Sequence, residues 1–114
     1  MKTTMAVMAL AAFVAFSVPA VPAFAADADL SAKVTAAKTA ADHEALADAF
    51  DKQAEEAEAR AAAHDKMAAS YKGLGKTGAM HETHCAAIAK RERDTAKDLK
   101  ALADAHRTQA KAAK

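Results

Sequence analysis

The chain has 114 residues with 16 basic and 15 acidic side chains, giving a formal charge of +1, and aromatic residues make up only 4% of it. Such near-neutrality gives no basic surface for nucleic acid or for an anionic membrane. A chain with so few large side chains buries little apolar area, so a single small domain needs a metal, a covalent staple or a partner chain.

The first part of the chain has the order of a secretory signal peptide. A single lysine precedes an uncharged apolar run over 5–18, two prolines follow, and small residues lead to Ala25. The run is shorter than the about 20 residues that a membrane helix needs. We therefore expect a signal peptide over 1–25 and a mature domain over 26–114. That domain is expected in the periplasm or outside the cell, without a membrane span.

The mature domain predicts an all-α fold. Asp29 or Ser31 can cap a first helix over about 31–71, a stretch without glycine or proline. The segment 72–78 contains three glycines and predicts a turn, and a second helix is expected over about 79–112. Two helices joined by a short turn run antiparallel, so the sequence predicts a helical hairpin.

Both helices carry a heptad-like stripe of mostly larger side chains. The stripe of the first helix comprises His43, Leu46, Phe50, Gln53, Ala57, Arg60, His64, Met67 and Tyr71. The stripe of the second helix comprises His81, Cys85, Ile88, Glu92, Thr95, Leu99, Leu102, His106 and Gln109. Beside each stripe an alanine recurs every seven residues. We expect these alanines to form a second contact face, on which a second hairpin completes a homodimeric four-helix bundle.

Folding the chain about its glycine turn aligns residues whose numbers sum to about 149. In this register His43 faces His106, and His64 faces Cys85. The two layers are 21 residues apart on each helix, or roughly 31 Å. The register also places Arg60 beside Glu92, as an ion pair that fixes alignment more than stability.

These layers predict a transition-metal site, since imidazole and thiolate bind copper, zinc and related ions. The layer near the turn offers His64, His81, His84 and Cys85, with Met67 and Met80 as secondary ligands. The other layer offers His43 and His106, which a second copy would complete in a symmetric dimer. We expect copper first, then zinc, cobalt or nickel, held for sequestration or delivery to an exchange partner. Two continuous helices offer no nucleophile turn, so no enzyme is expected.

Three alternatives stay open at this point. Two facing histidines inside a bundle can ligate haem iron without covalent attachment. Cys85 can instead form an intermolecular disulfide in an oxidising compartment. Finally, the chain can be a metal-free structural or interaction hairpin of the cell envelope, in which the histidines only adjust packing or pH response.

Overall fold

The computed structural model describes residues 23–113, and within them the chain is all-helical. Helix α1 spans Ala23–Ala36, α2 spans Ala40–Lys72 and α3 spans Ala79–Ala112, with a short 3₁₀ turn at Gly75–Thr77. The apolar run of the expected signal peptide lies outside the described residues. None of the described helices combines the length and apolar character that crossing a membrane requires.

The single first helix expected over about 31–71 is divided into α1 and α2. The break at residues 37–39 is made by a capping box. Asp42 donates its backbone N–H to the Thr39 hydroxyl at 3.1 Å, and its carboxylate accepts the Thr39 N–H at 2.9 Å. Because the Lys38 and Thr39 N–H groups hydrogen-bond this carboxylate, the pKa of Asp42 lies below its ordinary value. A new helix therefore starts at Ala40 without any glycine or proline.

Alanines fill the contact between α2 and α3, which we call the seam. The fully buried seam alanines are Ala47, Ala54, Ala57 and Ala61 of α2 and Ala89, Ala96 and Ala103 of α3, all 0% exposed. The expectation that the alanine repeat forms a second face for a partner hairpin was therefore wrong. Small side chains let two long helices approach closely, so the chain uses its alanine repeat within the hairpin.

One side of the seam is joined by ion pairs between acids of α2 and bases of α3, and we call it the charged flank. Its cross-helix pairs are Asp51 with Arg107 and Asp65 with Arg93. The acid of the second pair lies 14 residues later in α2 than the acid of the first pair, and its base lies 14 residues earlier in α3. The register is therefore constant along this length of the hairpin.

The other side of the seam is the α1 flank, formed by Leu46, Gln53, Arg60 and Met67 of α2 and by Ile88 and Leu102 of α3. Helix α1 lies against the α2 side of its half away from the turn, while Leu102 on the α3 side is 45% exposed. Leu30 of α1 packs on the cluster that contains Leu46, which is only 2% exposed. Asp27 of α1 accepts a hydrogen bond from Gln53 at 3.3 Å. Toward the turn the flank is uncovered, and Met67 is 40% exposed there.

The turn between α2 and α3 depends on two glycines. Gly75 has φ of 61°, a left-handed conformation that side chains with a Cβ rarely adopt. Gly78 is buried, and a Cβ on it would lie 2.0 Å from the backbone oxygen of Tyr71. A glycine is thus required where α3 begins against the end of α2, and this fixes the point at which the hairpin folds.

Candidate metal site

His43 of α2 and His106 of α3 form a pair across the seam, as the register predicts. Their Nδ1 atoms lie 3.2 Å apart, so one ring donates an N–H to the other. The two rings have centroids 5.4 Å apart and planes inclined by 22°. His106 also stacks on Phe50, with centroids 5.6 Å apart and planes inclined by 9°. The expected facing of His43 and His106 is confirmed.

The environment of this pair holds it in place while leaving it accessible. Both histidines are half-buried. They lie beside an apolar cluster of Leu46, Ala47, Phe50 and Ala103, against which α1 packs through Leu30. Stacking on Phe50 restrains the ring of His106, a role of Phe50 that the sequence analysis did not anticipate. The register places Phe50 opposite Leu99 and not opposite His106, so spacing alone does not predict this contact.

The distance between the two Nδ1 atoms suits a shared metal ion. Nitrogen donors about 2.05 Å from one ion lie about 3.3 Å apart when the angle at the ion is tetrahedral. The observed 3.2 Å is close to this separation, and each ring must turn so that its Nδ1 lone pair points at the ion instead of at the other nitrogen. The pair would supply two ligands to such an ion, and its remaining ligands would have to come from water or from another molecule.

The register predicts that His64 and Cys85 occupy the corresponding layer nearer the turn. The thiol of Cys85 is free and buried, with 8% of the residue exposed. His64 is half-buried, and its Nδ1 has no hydrogen-bond partner among the described residues although that atom is shielded from solvent. The layer thus contains a buried thiol and an unsatisfied imidazole nitrogen.

The other predicted ligands near the turn are not brought into this layer. His81 is exposed and its ring lies against Tyr71, with centroids 4.9 Å apart. His84 points to solvent, and Met80 is 69% exposed. Within the described part of the chain, no three His, Cys, Asp or Glu side chains gather as a metal-binding group. The expected four-ligand cluster at the turn is therefore not assembled in a single hairpin.

Comparison with known proteins gives no family for this chain. No protein-family model matches it, and the searches of curated proteins and of solved structures return no significant match.

Proposed function

We propose that this chain is an exported metal-binding hairpin that carries a transition-metal ion between His43 and His106. The contact between their Nδ1 atoms at 3.2 Å is the observation that supports this proposal most directly. Two neutral imidazoles at this separation form a ready bidentate site. Helix α1 and Phe50 hold the pair in place, so little conformational freedom is lost when an ion binds.

The donor separation favours an ion with tetrahedral geometry. Zinc and copper(I) accept this arrangement, whereas square-planar copper(II) places neighbouring donors closer together. The same geometry argues against haem, since a porphyrin must lie between its two axial imidazoles. Ala47 and Ala103, both 0% exposed, close the seam beside the pair and leave no slot for such a ring.

A site with only two protein ligands suits delivery better than permanent storage. An exchange partner can add its own ligands at the open positions and remove the ion by ligand exchange. The amino-terminal sequence supports export, so the ion would be handled in the periplasm or outside the cell. We propose a binding role, since two imidazole nitrogens that face one another are donors for an ion.

We also propose that two copies associate through the uncovered half of the α1 flank, around Met67 and Ile88. Helix α1 blocks the other half, so the two hairpins pair in opposite directions, turn half against turn half. The uncovered patch is about 22 Å long and about two helices wide. Two such patches approach the roughly 1,000 Å² that a specific interface needs. The resulting dimer is weak and depends on protein concentration.

Metal uptake by the exported, untagged protein tests the main proposal. We expect the wild-type protein to bind one equivalent of zinc or copper(I) at this pair. This binding should be lost in His43→Ala/His106→Ala and retained in the control His84→Ala. With free ion at 100 times its Kd, the wild-type protein gains about 2.7 kcal/mol, which raises Tm by more than about 10 °C for a domain of this size. Undiminished uptake by the double variant would contradict the proposal.

A further inference from the structure

We propose that the turn end of the hairpin docks on the surface of an anionic lipid bilayer. The docking surface, which we call the turn tip, combines two exposed apolar side chains with two exposed lysines: Leu74, Met80, Lys72 and Lys76. His43 lies 29 residues before Lys72 in α2, or roughly 44 Å from the tip. The proposal is therefore independent of metal binding at the histidine pair.

The two most exposed large apolar side chains of the described residues lie at this end of the hairpin. Leu74 in the turn is 61% exposed, and Met80 in the first turn of α3 is 69% exposed. The backbone around them is hydrogen-bonded: the Leu74 N–H donates to the Tyr71 carbonyl at 3.0 Å, and the Gly78 N–H donates to the Gly75 carbonyl at 3.1 Å. An ordered turn thus presents these side chains outward, where they are available to a partner.

The charge at this end indicates the kind of partner. No acidic residue occurs over 66–81, and within residues 23–113 no other stretch without acids is as long. The same stretch contains three lysines, of which Lys72 and Lys76 flank Leu74 in the turn. The near-neutral total charge of the chain hides this local excess. A positive surface with apolar side chains complements anionic headgroups that overlie hydrocarbon.

The small size of the tip favours a bilayer over an acidic protein. A specific protein interface buries roughly 800 Å² on each partner, which the end of a single hairpin does not supply. A bilayer sets no such minimum, because the burial of each apolar side chain and the attraction of each lysine add to the binding. Leu74 and Met80 would enter the boundary between headgroups and acyl chains, while the lysines keep their ammonium groups among the phosphates.

Vesicles of phosphatidylglycerol test the proposal, with vesicles of phosphatidylcholine as the uncharged reference. We expect the exported, untagged protein to partition onto phosphatidylglycerol about tenfold or more better than onto phosphatidylcholine, since each lysine near an anionic surface contributes about fivefold. The preference should fall as salt is added, because salt screens the charges. Co-sedimentation with the vesicles measures both. Equal partitioning onto the two lipids at low salt would overturn the proposal.

Replacing the lysines tests whether the tip carries the attraction. Lys72→Gln/Lys76→Gln should lower partitioning onto phosphatidylglycerol by about tenfold or more. The matched control is Lys97→Gln/Lys100→Gln, which removes two exposed lysines of α3 away from the turn and should retain the binding. Equal losses in the two variants would show a general effect of charge and overturn the assignment to the tip.

Replacing the apolar side chains tests whether the tip enters the lipid. Leu74→Gln/Met80→Gln should lower partitioning by about tenfold or more, because less apolar area leaves water. The control Val34→Gln/Leu102→Gln changes side chains that are 44% and 45% exposed and lie away from the turn, so it should bind as the wild type does. Circular dichroism of each variant monitors folding. Full binding by a folded Leu74→Gln/Met80→Gln variant would contradict insertion.

Tyr71 reports the tip directly, because it is the one tyrosine of a chain without tryptophan. It is half-buried at the end of α2, the level at which tyrosine rings favour the headgroup region. Its fluorescence should become less accessible to acrylamide when phosphatidylglycerol is added, and unchanged quenching of the bound protein would exclude contact through the tip. Binding should persist in His43→Ala/His106→Ala, so failure of the metal proposal is distinguishable from failure of this one.

Discussion

The Nδ1 atoms of His43 and His106 are 3.2 Å apart although the two residues are 63 positions apart in the chain. Removing one ring leaves the Nδ1 of the other ring half-buried without a hydrogen-bond partner, whereas removing both rings leaves no unpaired nitrogen. Without metal, we expect His43→Leu to cost about 1 kcal/mol of unfolding free energy and His43→Leu/His106→Leu to cost less. Urea denaturation of the two variants measures this difference. If the double variant lost more unfolding free energy than the two single variants lose together, the interpretation would be contradicted.

The seam tolerates only small side chains. Ala96 is 0% exposed between α2 and α3, while Ala101 lies on the outer surface of the same helix. We expect Ala96→Leu to lower the free energy of unfolding by about 1–3 kcal/mol, because the added atoms force the helices apart. Ala101→Leu is the matched control and should change stability by less than about 0.5 kcal/mol. Equal thermal denaturation curves for the two variants would show that the contact between α2 and α3 has room for a larger side chain at position 96.

The capping box at Thr39 and Asp42 makes stability depend on pH. We expect Thr39→Ala to cost about 1 kcal/mol at neutral pH, whereas the exposed Thr35→Ala should cost little. The pKa of Asp42 is lowered on folding, so its ionised form stabilises the folded chain above its ordinary pKa.

That stabilisation is lost as the pH falls through the lowered pKa. The advantage of the wild type over Asp42→Ala should therefore be constant from pH 7 to about 4 and shrink below it. Denaturation at several pH values measures it, with Glu44→Ala as the control for loss of one exposed acid. An advantage that grows on acidification would exclude this role of the carboxylate.

The proposed association through the uncovered flank would depend on its apolar side chains. Ile88 is half-buried in a single hairpin and lies on that flank. We expect Ile88→Glu to keep the protein monomeric at concentrations where the wild type dimerises, because a buried carboxylate would be unpaired. Sedimentation equilibrium measures the change, with the exposed Ala62→Glu as a control for added charge. A wild type that stays monomeric at millimolar concentration would refute the dimer.

The sequence was sufficient to predict the all-α class, the glycine turn and the register. Heptad spacing gives the face of each helix, and the turn leaves one alignment in which Arg60 meets Glu92 and His43 meets His106. These contacts follow from spacing alone. They could therefore be predicted without any knowledge of the packing.

Two features could not be derived in that way. The choice between large residues and alanines as the interior of the seam depends on how closely the helices approach, which spacing does not determine. Likewise, the break before Ala40 arises from a Thr39–Asp42 hydrogen-bond pair within an otherwise strong helical sequence. Beyond this break, α1 packs through Leu30 on the cluster that contains Leu46, a contact that the heptad spacing of the hairpin does not predict.

The repeating alanines of the seam have a consequence for folding accuracy. A surface that repeats every seven residues looks nearly the same after one helix slides by two turns, so alanine packing alone distinguishes poorly between neighbouring alignments. The irregular elements must select the native one: the Gly78 contact with Tyr71, the Arg60–Glu92 ion pair and the two histidines. An ion held between His43 and His106 would therefore act as a clamp against slippage, and bind strongly only to a hairpin folded in the correct alignment.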